Sequence, residues 1–478
     1  MKLQKFCKFL NLVTDDNDEI ISSITANSED VNKGSVFIAL KGSVFDGNDY
    51  IEDVLSKGAI LVLSDNDNMR NQNKRISYIE NLSSKLGDIA SIFYQNLPSN
   101  IIAVTGTNGK SSVVDIARQL FIALKADAAS FGTMGLYYNN KIKSELSHTT
   151  PDIFSLYKSL NNLKLENFDN VLFEASSHGI EQGRIDNIPI NIAVFTNLTQ
   201  DHLDFHGNME NYFCAKSKLF SKHLNDDGVA IINADSNYAK KLKSICGLRG
   251  IKYFDFGKGA KDVRILDSGE GAIIIEYQGT KYEVPCHLTG SFQIYNMVCA
   301  ISILINSGIN LEQIIPVCSA VKAVAGRLEE IPVGNHKGYK VFIDYAHTPD
   351  ALEKALQSLK DYVKHPSRLI VVFGCGGNRD HDKRFIMGEI AKQNSDYVIV
   401  TDDNPRNEDP KEIRSEILSA VPNAKEIADR KEAILHALNI AKPGDIILIA
   451  GKGHENYQII GNKKIDFDDA QIVRNEVL

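Results

Sequence analysis

The stretch Gly106-Thr-Asn-Gly-Lys-Ser111 has the residue types that bind phosphate. It lies between residues 101–105, an apolar and β-rich run, and residues 113–125, which carry helical periodicity. The two glycines let the backbone curl, so that successive N–H groups can face an anion at a helix start. Lys110 can reach the outer phosphates of a nucleotide, and the hydroxyl of Ser111 can hold Mg²⁺. The sequence therefore predicts a phosphate loop rather than a plain glycine-rich turn, although two residues separate the glycines where four are usual.

Acidic and imidazole side chains follow two further apolar runs. Glu174 ends one run, and its carboxylate can complete a Mg²⁺ shell with Ser111, since Mg²⁺ takes few protein oxygens besides phosphate and water. The other run leads into Asn197-Leu-Thr-Gln-Asp-His-Leu-Asp-Phe-His206, where His202 or His206 can bind metal or orient a carboxylate. A histidine in such a loop can also be a plain hydrogen-bonding residue, so the two interpretations stay open.

Two other motifs have both a functional and a structural interpretation. The two serines that follow Glu174-Ala can cap a helix. In Asp402-Asp-Asn-Pro-Arg406, the proline fixes the local backbone and Arg406 presents a planar fork suited to a carboxylate. The following Asp409-Pro-Lys-Glu412 can start a helix, which would make the preceding proline part of a turn. Both interpretations can hold together.

Strand and helix patterns alternate along the chain and predict three α/β units, at residues 1–98, 99–328 and 329–478. Strands are predicted at residues 34–42, 59–64, 101–105, 170–174, 190–195, 228–233, 340–344, 369–373, 397–401 and 445–450. A helix is predicted near residues 50–57, and residues 250–287 look like a hairpin insertion. Alternation of this kind predicts mainly parallel sheets whose ligands bind at the carboxyl ends of strands. In the third unit, four polar or glycine-rich strand ends indicate one binding surface, at residues 344–349, 374–380, 402–406 and 451–455.

Bulk composition excludes several classes of protein. The net charge of −8 over 478 residues provides no basic footprint for nucleic acid. Seven scattered cysteines without a Cys-x-x-Cys pair predict neither a zinc site nor a disulfide framework, and they suit a reducing cytosol. No apolar run approaches a membrane span, and residues 1–13 make a poor signal peptide. We therefore expect a cytoplasmic protein with no membrane or nucleic-acid partner.

Taken in order, the motifs resemble those of the Mur ligases, which are ATP-dependent amide-forming enzymes of peptidoglycan synthesis. The resemblance covers nearly the whole chain and is specific as a set, although each motif alone is modest. It rests on residues 106–111, 148–152 (His-Thr-Thr-Pro-Asp), 174–179 (Glu-Ala-Ser-Ser-His-Gly), 182–184, 201–204, 215–216, 296, 326–327, 344–347, 403–406 and 451–455 (Gly-Lys-Gly-His-Glu). The resemblance implies a small α/β uridine-binding domain, a central P-loop domain and a C-terminal Rossmann-like domain.

By position, the resemblance implies three groups of binding residues. ATP would be held by Gly106, Thr107, Asn108, Gly109, Lys110, Ser111 and Ser112, with Asn296, Arg327 and Asp344 near the adenosine. A UDP-muramoyl-dipeptide would be held by Ser28, Thr149, Thr150, Ser176, Gln182 and Arg184. Diaminopimelate would be held by Arg379, Asp403, Asn404, Pro405, Arg406, Gly451 and Glu455. Residues 34–47 match the uridine-binding module, where the family often has Asp-Ser-Arg in place of Asn27-Ser-Glu29.

The resemblance also implies the catalytic and metal-binding groups. Lys110, Glu174, His202 and Lys216 would be catalytic. Lys216 matches the lysine that is carbamylated in this family to N6-carboxylysine, which turns a cation into a carboxylate-like metal ligand. One Mg²⁺ would be held by Ser111 and Glu174, and a second by His202 and the carbamate.

The implied reaction joins meso-diaminopimelate to UDP-N-acetylmuramoyl-L-alanyl-D-glutamate through an acyl phosphate made from ATP, by a monomeric enzyme. One alternative is a lysine-adding relative or another amide ligase of the same fold, such as folylpolyglutamate synthase. Arg406 argues against lysine, because only diaminopimelate has a second carboxylate. An alternative from another class is a non-catalytic nucleotide switch or motor, but the decorated strand ends of the third unit suit a second substrate better.

Overall fold

The computed structural model describes residues 1–12, 19–42, 45–69, 73–138, 141–144, 148–269, 271–334 and 337–477. Of the predicted uridine region 34–47, Ser43 and Val44 lie outside these residues. Three main sheets follow one another along the chain, together with a two-stranded hairpin. In the described part of the chain, no helix combines the length and apolarity needed to cross a membrane. All seven cysteines are free.

The first sheet is a small parallel sheet with strand order β1-β2-β3-β4. Its strands are β1 (Ser23–Thr25), β2 (Ser35–Ala39), β3 (Leu61–Ser64) and β4 (Ile76–Tyr78). The helices of this region are α1 (Leu3–Phe9), α2 (Ile51–Ser56) and α3 (Leu86–Phe93), with 3₁₀ segments at Ser28–Asp30, Gly47–Tyr50, Asp67–Met69 and Leu82–Lys85. β2 and β3 are buried along their whole length, as their continuous apolar runs predict for a sheet covered on both faces.

The central sheet has eleven strands in the order β15-β14-β13-β12-β11-β10-β5-β9-β6-β7-β8. Its strands are β5 (Asn100–Thr105), β6 (Ala128–Gly132), β7 (Gly135–Tyr138), β8 (Lys141–Ser144), β9 (Asn170–Glu174), β10 (Ile190–Phe195), β11 (Leu224–Asn233), β12 (Lys252–Gly257), β13 (Val263–Gly269), β14 (Ala272–Tyr277) and β15 (Thr280–Pro285). The middle of the sheet is parallel and both edges are antiparallel.

Eight helices accompany the central sheet in the described residues. They are α4 (Lys110–Ala123), α5 (Ile153–Leu165), α6 (Ser177–Glu181), α7 (Leu203–His206), α8 (Met209–Lys218), α9 (Ala239–Arg249), α10 (Ser291–Asn306) and α11 (Leu311–Ile314), with a π-helical segment at Leu219–His223 and a 3₁₀ segment at Ile315–Ala320. Helix α4 follows β5 directly after the predicted phosphate loop, which is the order that the sequence pattern predicts.

The third sheet has the order β16-β17-β21-β18-β19-β20, in which only the β16–β17 pair is antiparallel. Its strands are β16 (Arg327–Ile331), β17 (Lys340–Asp344), β18 (Leu369–Phe373), β19 (Tyr397–Val400), β20 (Lys425–Glu426) and β21 (Ile446–Ala450), and a separate hairpin is formed by β22 (Tyr457–Ile460) and β23 (Lys463–Asp466). The helices are α12 (Pro349–Lys360), α13 (Asp382–Asn394), α14 (Pro410–Ala420), α15 (Arg430–Ile440) and α16 (Asp469–Val477). Thr348 and Asp409 cap α12 and α14, each with proline in the first turn.

The cores show how the units join. One apolar cluster contains Ile38 and Leu63 of the first sheet together with Phe154 and Phe173 of the central unit, so these two units share a core. The third sheet instead has separate clusters, one on each face. The third sheet and its helices contact the phosphate-loop region through polar side chains, among them Arg327 and Asp350.

The predicted strands are present, and four of them, β9, β10, β17 and β18, have the predicted bounds. The segment expected to be a hairpin insertion does contain antiparallel strands, β13 to β15, but β12 pairs in parallel with β11 and continues the central sheet. The sequence interpretation missed β1, β4, β6 to β8, β16, β20 and the β22–β23 hairpin. Most of these strands are short and lie at or next to sheet edges or outside the main sheets, where the apolar pattern is weak. The exception is β6, which is buried inside the central sheet but contains only small residues around Phe131.

Candidate active site

The predicted phosphate loop is a tight turn between β5 and α4. Gly106 and Gly109 have φ of 152° and 87°, values that strain any residue with a side chain. A Cβ on Gly106 would lie 1.9 Å from Oγ1 of Thr196, so the space also excludes a side chain. The Nζ of Lys110 donates to the carbonyl oxygens of Gly106 at 3.0 Å and of Thr107 at 2.9 Å. The lysine therefore folds back over the loop, where a bound phosphate would lie.

A second lysine reaches the same loop from α8. Lys216 is 2% exposed, and its Nζ donates to the carbonyl oxygen of Gly106 at 2.9 Å. Burial lowers its pKa well below the ordinary value, and the neighbouring charge of Lys110 lowers it further. Burial also lowers the pKa of Lys110. Two ammonium groups thus converge on one carbonyl oxygen, and this arrangement favours an anion or the uncharged amine.

The carboxylate of Glu174 lies at the end of β9 and is 2% exposed. The backbone N–H of Thr133 donates to its Oε1 at 2.8 Å, and the hydroxyl of Thr133 donates to Oε2 at 3.3 Å. A Cβ on Gly132 would lie 2.0 Å from Oε1, so this glycine leaves room for the carboxylate. The sequence analysis did not predict Thr133 as a site residue. Thr133 follows a short strand that was not predicted, so its position at a strand end was not recognised.

His202 lies beside the two buried lysines, Lys110 and Lys216. It has φ of 54°, and its Nε2 lies 3.4 Å from Oδ2 of Asp201. Its ring packs edge-on against His178 at 5.0 Å and against Tyr212 at 6.1 Å, and Nζ of Lys216 lies 4.6 Å from the centre of the Tyr212 ring. Partial burial lowers the pKa of His202 below its usual range, which favours the neutral imidazole that can act as a ligand. The alternative residue His206 is buried against the hydroxyl of Ser177 at 3.0 Å.

Five of the six residues predicted to bind the UDP-substrate lie in one cluster. The hydroxyl of Thr150 contacts that of Ser176 at 2.9 Å, and the guanidinium of Arg184 donates to the carbonyl oxygen of Thr150 and to the side chain of Gln182. The hydroxyl of Thr149 lies 3.2 Å from that of Thr133. Ser176 also caps α6, so the structural interpretation of this serine holds as well.

The sixth residue, Ser28, belongs to the first unit. It begins the 3₁₀ segment there, and its carbonyl oxygen accepts a hydrogen bond from Lys57 at 3.2 Å. The side chain of Asn27 caps this segment. None of the hydrogen bonds found in the described residues joins Ser28 to the five-residue cluster, so its place beside a substrate stays a prediction.

A cavity of about 430 Å³ lies beside the phosphate loop. Its lining contains six of the predicted ATP residues, Asn108, Gly109, Ser112, Asn296, Arg327 and Asp344. Sequence reasoning missed other lining residues, among them Asn233, Asp235, Asn237 and Tyr295. The polar segment that follows β11 at this strand end was the available signal, since the other strand ends of the sheet were interpreted in the same way.

Two predicted ATP residues, Arg327 and Asp344, lie on strands of the third sheet and line this cavity, although Arg327 falls just before the predicted start of the third unit. Nη2 of Arg327 donates to the hydroxyl of Ser111 at 3.4 Å, which links the third unit to the phosphate loop. The carboxylate of Asp344 accepts from the backbone N–H groups of Leu328 at 2.6 Å and Ala346 at 2.7 Å. Burial raises the pKa of Asp344 to about 6.

The predicted diaminopimelate residues lie at the carboxyl ends of the parallel strands in the third sheet. The amide of Asn404 donates to Oε2 of Glu455 at 2.9 Å. A Cβ on Gly451 would lie 2.6 Å from Oδ2 of Asp403, and this buried oxygen has no hydrogen-bond partner in the described residues. Pro405, which lies between Asn404 and Arg406 in the sequence, is also buried. The arrangement confirms that these strand ends meet at one edge of the sheet.

The two arginines of this group differ in their surroundings. Arg406 has φ of 52°, and its Nη1 donates to the carbonyl oxygen of Gly377 at 2.8 Å, which holds the guanidinium near the loop after β18. Arg379 is exposed. Asp409 caps α14, so the helix-start interpretation of this region also holds.

A second cavity, of about 630 Å³, brings the two predicted substrate groups together. Its lining includes Thr149 from the UDP-substrate group and Glu455 from the diaminopimelate group, but neither Arg379 nor Arg406. Sequence reasoning missed Met134, Tyr137 and Tyr457 among the lining residues, whereas Tyr345 and His454 belong to strand ends that it predicted as a binding surface. The cavity therefore lies between the central and third units, with Thr133 also in its lining.

The predicted metal ligands have the kinds of donor atom that Mg²⁺ binds. Within the ranges described above, no group of three or more histidine, cysteine or acidic side chains is arranged to hold a metal. Ser111, Glu174 and a neutral His202 supply hard or borderline ligands, and carbamylated Lys216 would add two carboxylate oxygens. With the carbamate, the donor chemistry fits Mg²⁺, which takes few protein oxygens.

Comparison with known proteins identifies the family. Residues 20–94 match the Mur ligase family catalytic domain, residues 104–304 the Mur ligase middle domain, and residues 326–453 the Mur ligase glutamate ligase domain. The UDP-N-acetylmuramoyl-L-alanyl-D-glutamate–2,6-diaminopimelate ligase of Rickettsia montanensis is 46% identical over 462 residues, which cover 95% of each chain. This chain belongs to the Mur ligase family.

Solved structures agree with this assignment. A UDP-N-acetylmuramoyl-L-alanyl-D-glutamate–2,6-diaminopimelate ligase matches the Mur ligase described here with a TM-score of 0.71 at 31% identity, covering 99% of this chain and 98% of that one. A MurF ligase from Thermotoga maritima in complex with ADP has a TM-score of 0.66 at 20% identity, covers 91% and 95% of the two chains, and supports the fold alone. The predicted architecture and the predicted enzyme class, an ATP-dependent amide ligase, are confirmed.

An unpredicted carboxylate joins the third unit of this Mur ligase to its phosphate loop. Oδ2 of Asp350, in the first turn of α12, accepts from the amide of Asn108 at 2.8 Å and from the hydroxyl of Thr199 at 3.1 Å. Lys354 pairs with the same carboxylate at 2.8 Å. Asp350 therefore holds Asn108 of the predicted phosphate loop from the third unit.

We expect Asp350→Ala to lower kcat by roughly tenfold or more, because small displacements of a phosphate-binding loop misplace the reacting groups. The measurement is ATP-dependent ligation beside thermal unfolding. Asp361→Ala, at the exposed far end of the same helix, is the matched control. Equal kcat in the two variants would contradict a role for Asp350 in holding the loop.

Proposed function

We propose that this Mur ligase adds meso-2,6-diaminopimelate to UDP-N-acetylmuramoyl-L-alanyl-D-glutamate at the expense of ATP. The observation that carries the proposal is the second cavity, whose lining contains both Thr149 and Glu455. A ligase must bring its acceptor carboxylate and its incoming amine to one place, and a cavity lined by residues of both predicted groups supports this arrangement. The curated relatives that match 95% of the chain have this activity in their names.

The chemistry follows from the reactivity of a carboxylate. Because a carboxylate is a poor electrophile, ATP first converts the D-glutamyl γ-carboxylate to an acyl phosphate, with ADP as the leaving group. The amine of diaminopimelate then attacks the acyl carbon, a tetrahedral intermediate forms, and phosphate leaves. Lys110 and the N–H groups of residues 106–112 neutralise charge on the transferring phosphoryl group. Closure of the third unit over the loop excludes water, which would hydrolyse the acyl phosphate.

The nucleotide belongs in the first cavity. Asn296, Arg327 and Asp344 line it together with the amino end of α4, so we place the adenosine there and the phosphates at the loop. Ser111, Glu174, His202 and carbamylated Lys216 would hold Mg²⁺, which supplies charge neutralisation at the phosphates when bound. Because burial lowers the pKa of Lys216, its uncharged amine is available to react with CO₂ and give the carbamate.

The choice of amino acid rests on the distal end of diaminopimelate. Its second carboxylate fits the guanidinium of Arg406, while Glu455 accepts from the distal ammonium and Arg379 assists. L-lysine has no such carboxylate and would leave the arginine unpaired. A cytoplasmic location, a monomeric state and the domain limits 1–98, 99–328 and 329–478 complete the proposal.

Phosphate release from ATP tests the reaction directly. We expect release only when the UDP-dipeptide and diaminopimelate are both present, together with a new amide detected by mass spectrometry. Lys110→Ala should abolish it while the protein stays folded, because the loop then lacks its phosphate-neutralising cation. Phosphate release independent of the amino acid would favour a nucleotide switch, and near-normal ligation by Lys110→Ala would overturn the phosphate-loop assignment.

Arg406 is expected to set amino-acid selectivity. Loss of a buried bidentate pair costs roughly 3 kcal/mol, a hundredfold discrimination. Arg406→Ala should therefore raise the KM for diaminopimelate steeply, with the KM values for ATP and the UDP-substrate almost unchanged, and Arg406→Lys should not rescue it. The kcat/KM of the wild-type enzyme is measured with meso-diaminopimelate and with L-lysine under the same conditions. Comparable kcat/KM for the two amino acids would contradict the proposed role of Arg406 and leave the motif only its structural role as a helix-start turn.

Lys216 is expected to act as its carbamate. Lys216→Ala should be nearly inactive and should regain activity with added short carboxylates, which replace the carbamate oxygens. Lys218→Ala, two residues on at an exposed ion pair with Glu181, is the control. Mass spectrometry of the native protein measures the modification. Full activity in CO₂-free buffer, with no carbamate detected, would rule out this role.

A further inference from the structure

One buried lysine of the third unit has no role in the function proposed above. Lys452 lies in the Gly-Lys-Gly-His-Glu motif and is 0% exposed. Its Nζ donates to Oδ1 of Asn404 at 3.1 Å and to Oε2 of Glu455 at 3.2 Å. A buried ammonium is costly unless it is paired, and both of its hydrogen-bonding partners are residues predicted to bind the amino acid.

The lysine completes a closed network of hydrogen bonds. Asn404 donates to Oε2 of Glu455 at 2.9 Å, and its Oδ1 also accepts from the backbone N–H of Ile459 at 2.9 Å. The backbone N–H of Glu455 donates to the carbonyl oxygen of Lys452 at 2.9 Å, so both residues belong to one turn. The two donors on Oδ1 settle which way the amide of Asn404 points.

The network leaves specific atoms available to a ligand. The side-chain hydrogen bonds to Glu455 in the described residues all reach Oε2, so Oε1 remains for a donor in the second cavity, which Glu455 lines. Asn404 uses one of its two amide hydrogens on Glu455 and keeps the other. An oriented carboxylate oxygen suits a ligand ammonium.

We propose that Lys452 is a positioning residue that holds Asn404 and Glu455 in the geometry that binds the ammonium of the incoming amino acid. It acts through Glu455 and does not touch the substrate. The buried ammonium balances the charge of the carboxylate before the ligand arrives, so that Glu455 stays fixed in a largely enclosed place. The inference rests on the proposed function and adds a residue to its amino-acid pocket.

The test is the steady-state kinetics of Lys452→Met, which removes the ammonium and keeps an unbranched side chain. We expect the KM for diaminopimelate to rise about 30-fold or more, as when one partner of a buried charge pair is truncated. The kcat and the KM values for ATP and the UDP-dipeptide should change by less than about threefold, because Asn404 and Glu455, to which Lys452 donates, are assigned to the amino acid alone. Lys463→Met, at an exposed position on β23, is the matched control.

A double variant separates positioning from general structural damage. If Lys452 acts through Glu455, then Lys452→Met combined with Glu455→Gln should have the same KM for diaminopimelate as Glu455→Gln alone. The double variant removes both charges together, so it leaves no unpaired buried charge and keeps the test valid if Lys452→Met alone fails to fold.

Several results would overturn the proposal. One is a KM for diaminopimelate that is equal in Lys452→Met and Lys463→Met, and another is a fall in kcat with an equal rise in all three KM values. The proposal would also be overturned if the double variant had a much higher KM for diaminopimelate than Glu455→Gln. Failure of both Lys452→Met and the double variant to fold would have the same consequence. Failure of the proposed function gives a different result, because the wild-type protein itself would not ligate diaminopimelate. If the wild type used L-lysine instead, the same comparison would be made with the KM for lysine.

Discussion

The active site depends on the convergence of two lysines on the carbonyl oxygen of Gly106. Lys110 comes from the start of α4 and Lys216 from α8, and burial lowers the pKa of both. Neighbouring ammonium groups in a buried place repel each other, so this site is completed by negative charge. A nucleotide phosphate and the proposed carbamate would each supply it. The surrounding groups, Glu174 and a neutral His202, then have a defined place around that charge.

Both cavities lie where the third unit meets the central one, and polar contacts join the two units beside the first cavity. Arg327 reaches Ser111, and Asp350 reaches Asn108. The third sheet has its own apolar cores, whereas the first and central units share one. Polar contacts between units exchange more readily with water than a shared core does, so the junction suits a site that must admit substrates and then exclude water.

The proposed amino-acid pocket contains a buried polar network. Lys452, Asn404 and Glu455 satisfy one another, and each keeps its geometry because its neighbours are fixed. Asp403 differs, since one of its carboxylate oxygens is buried without a partner in the described residues. Satisfied networks stabilise a single arrangement, and an unsatisfied oxygen at their edge favours a ligand that can donate to it.

The sequence by itself determined the family, the three α/β units and the strands of the sheet centres, and it predicted six of the residues that line the first cavity. These features have strong local signals, since apolar runs mark buried strands and glycines mark the phosphate loop. Only the tertiary structure decided the edge strands, the contact of Asp350 with the loop, and the burial of Lys452 between Asn404 and Glu455. Such contacts join residues far apart in the chain, so no local pattern encodes them, and packing alone brings them within hydrogen-bond distance.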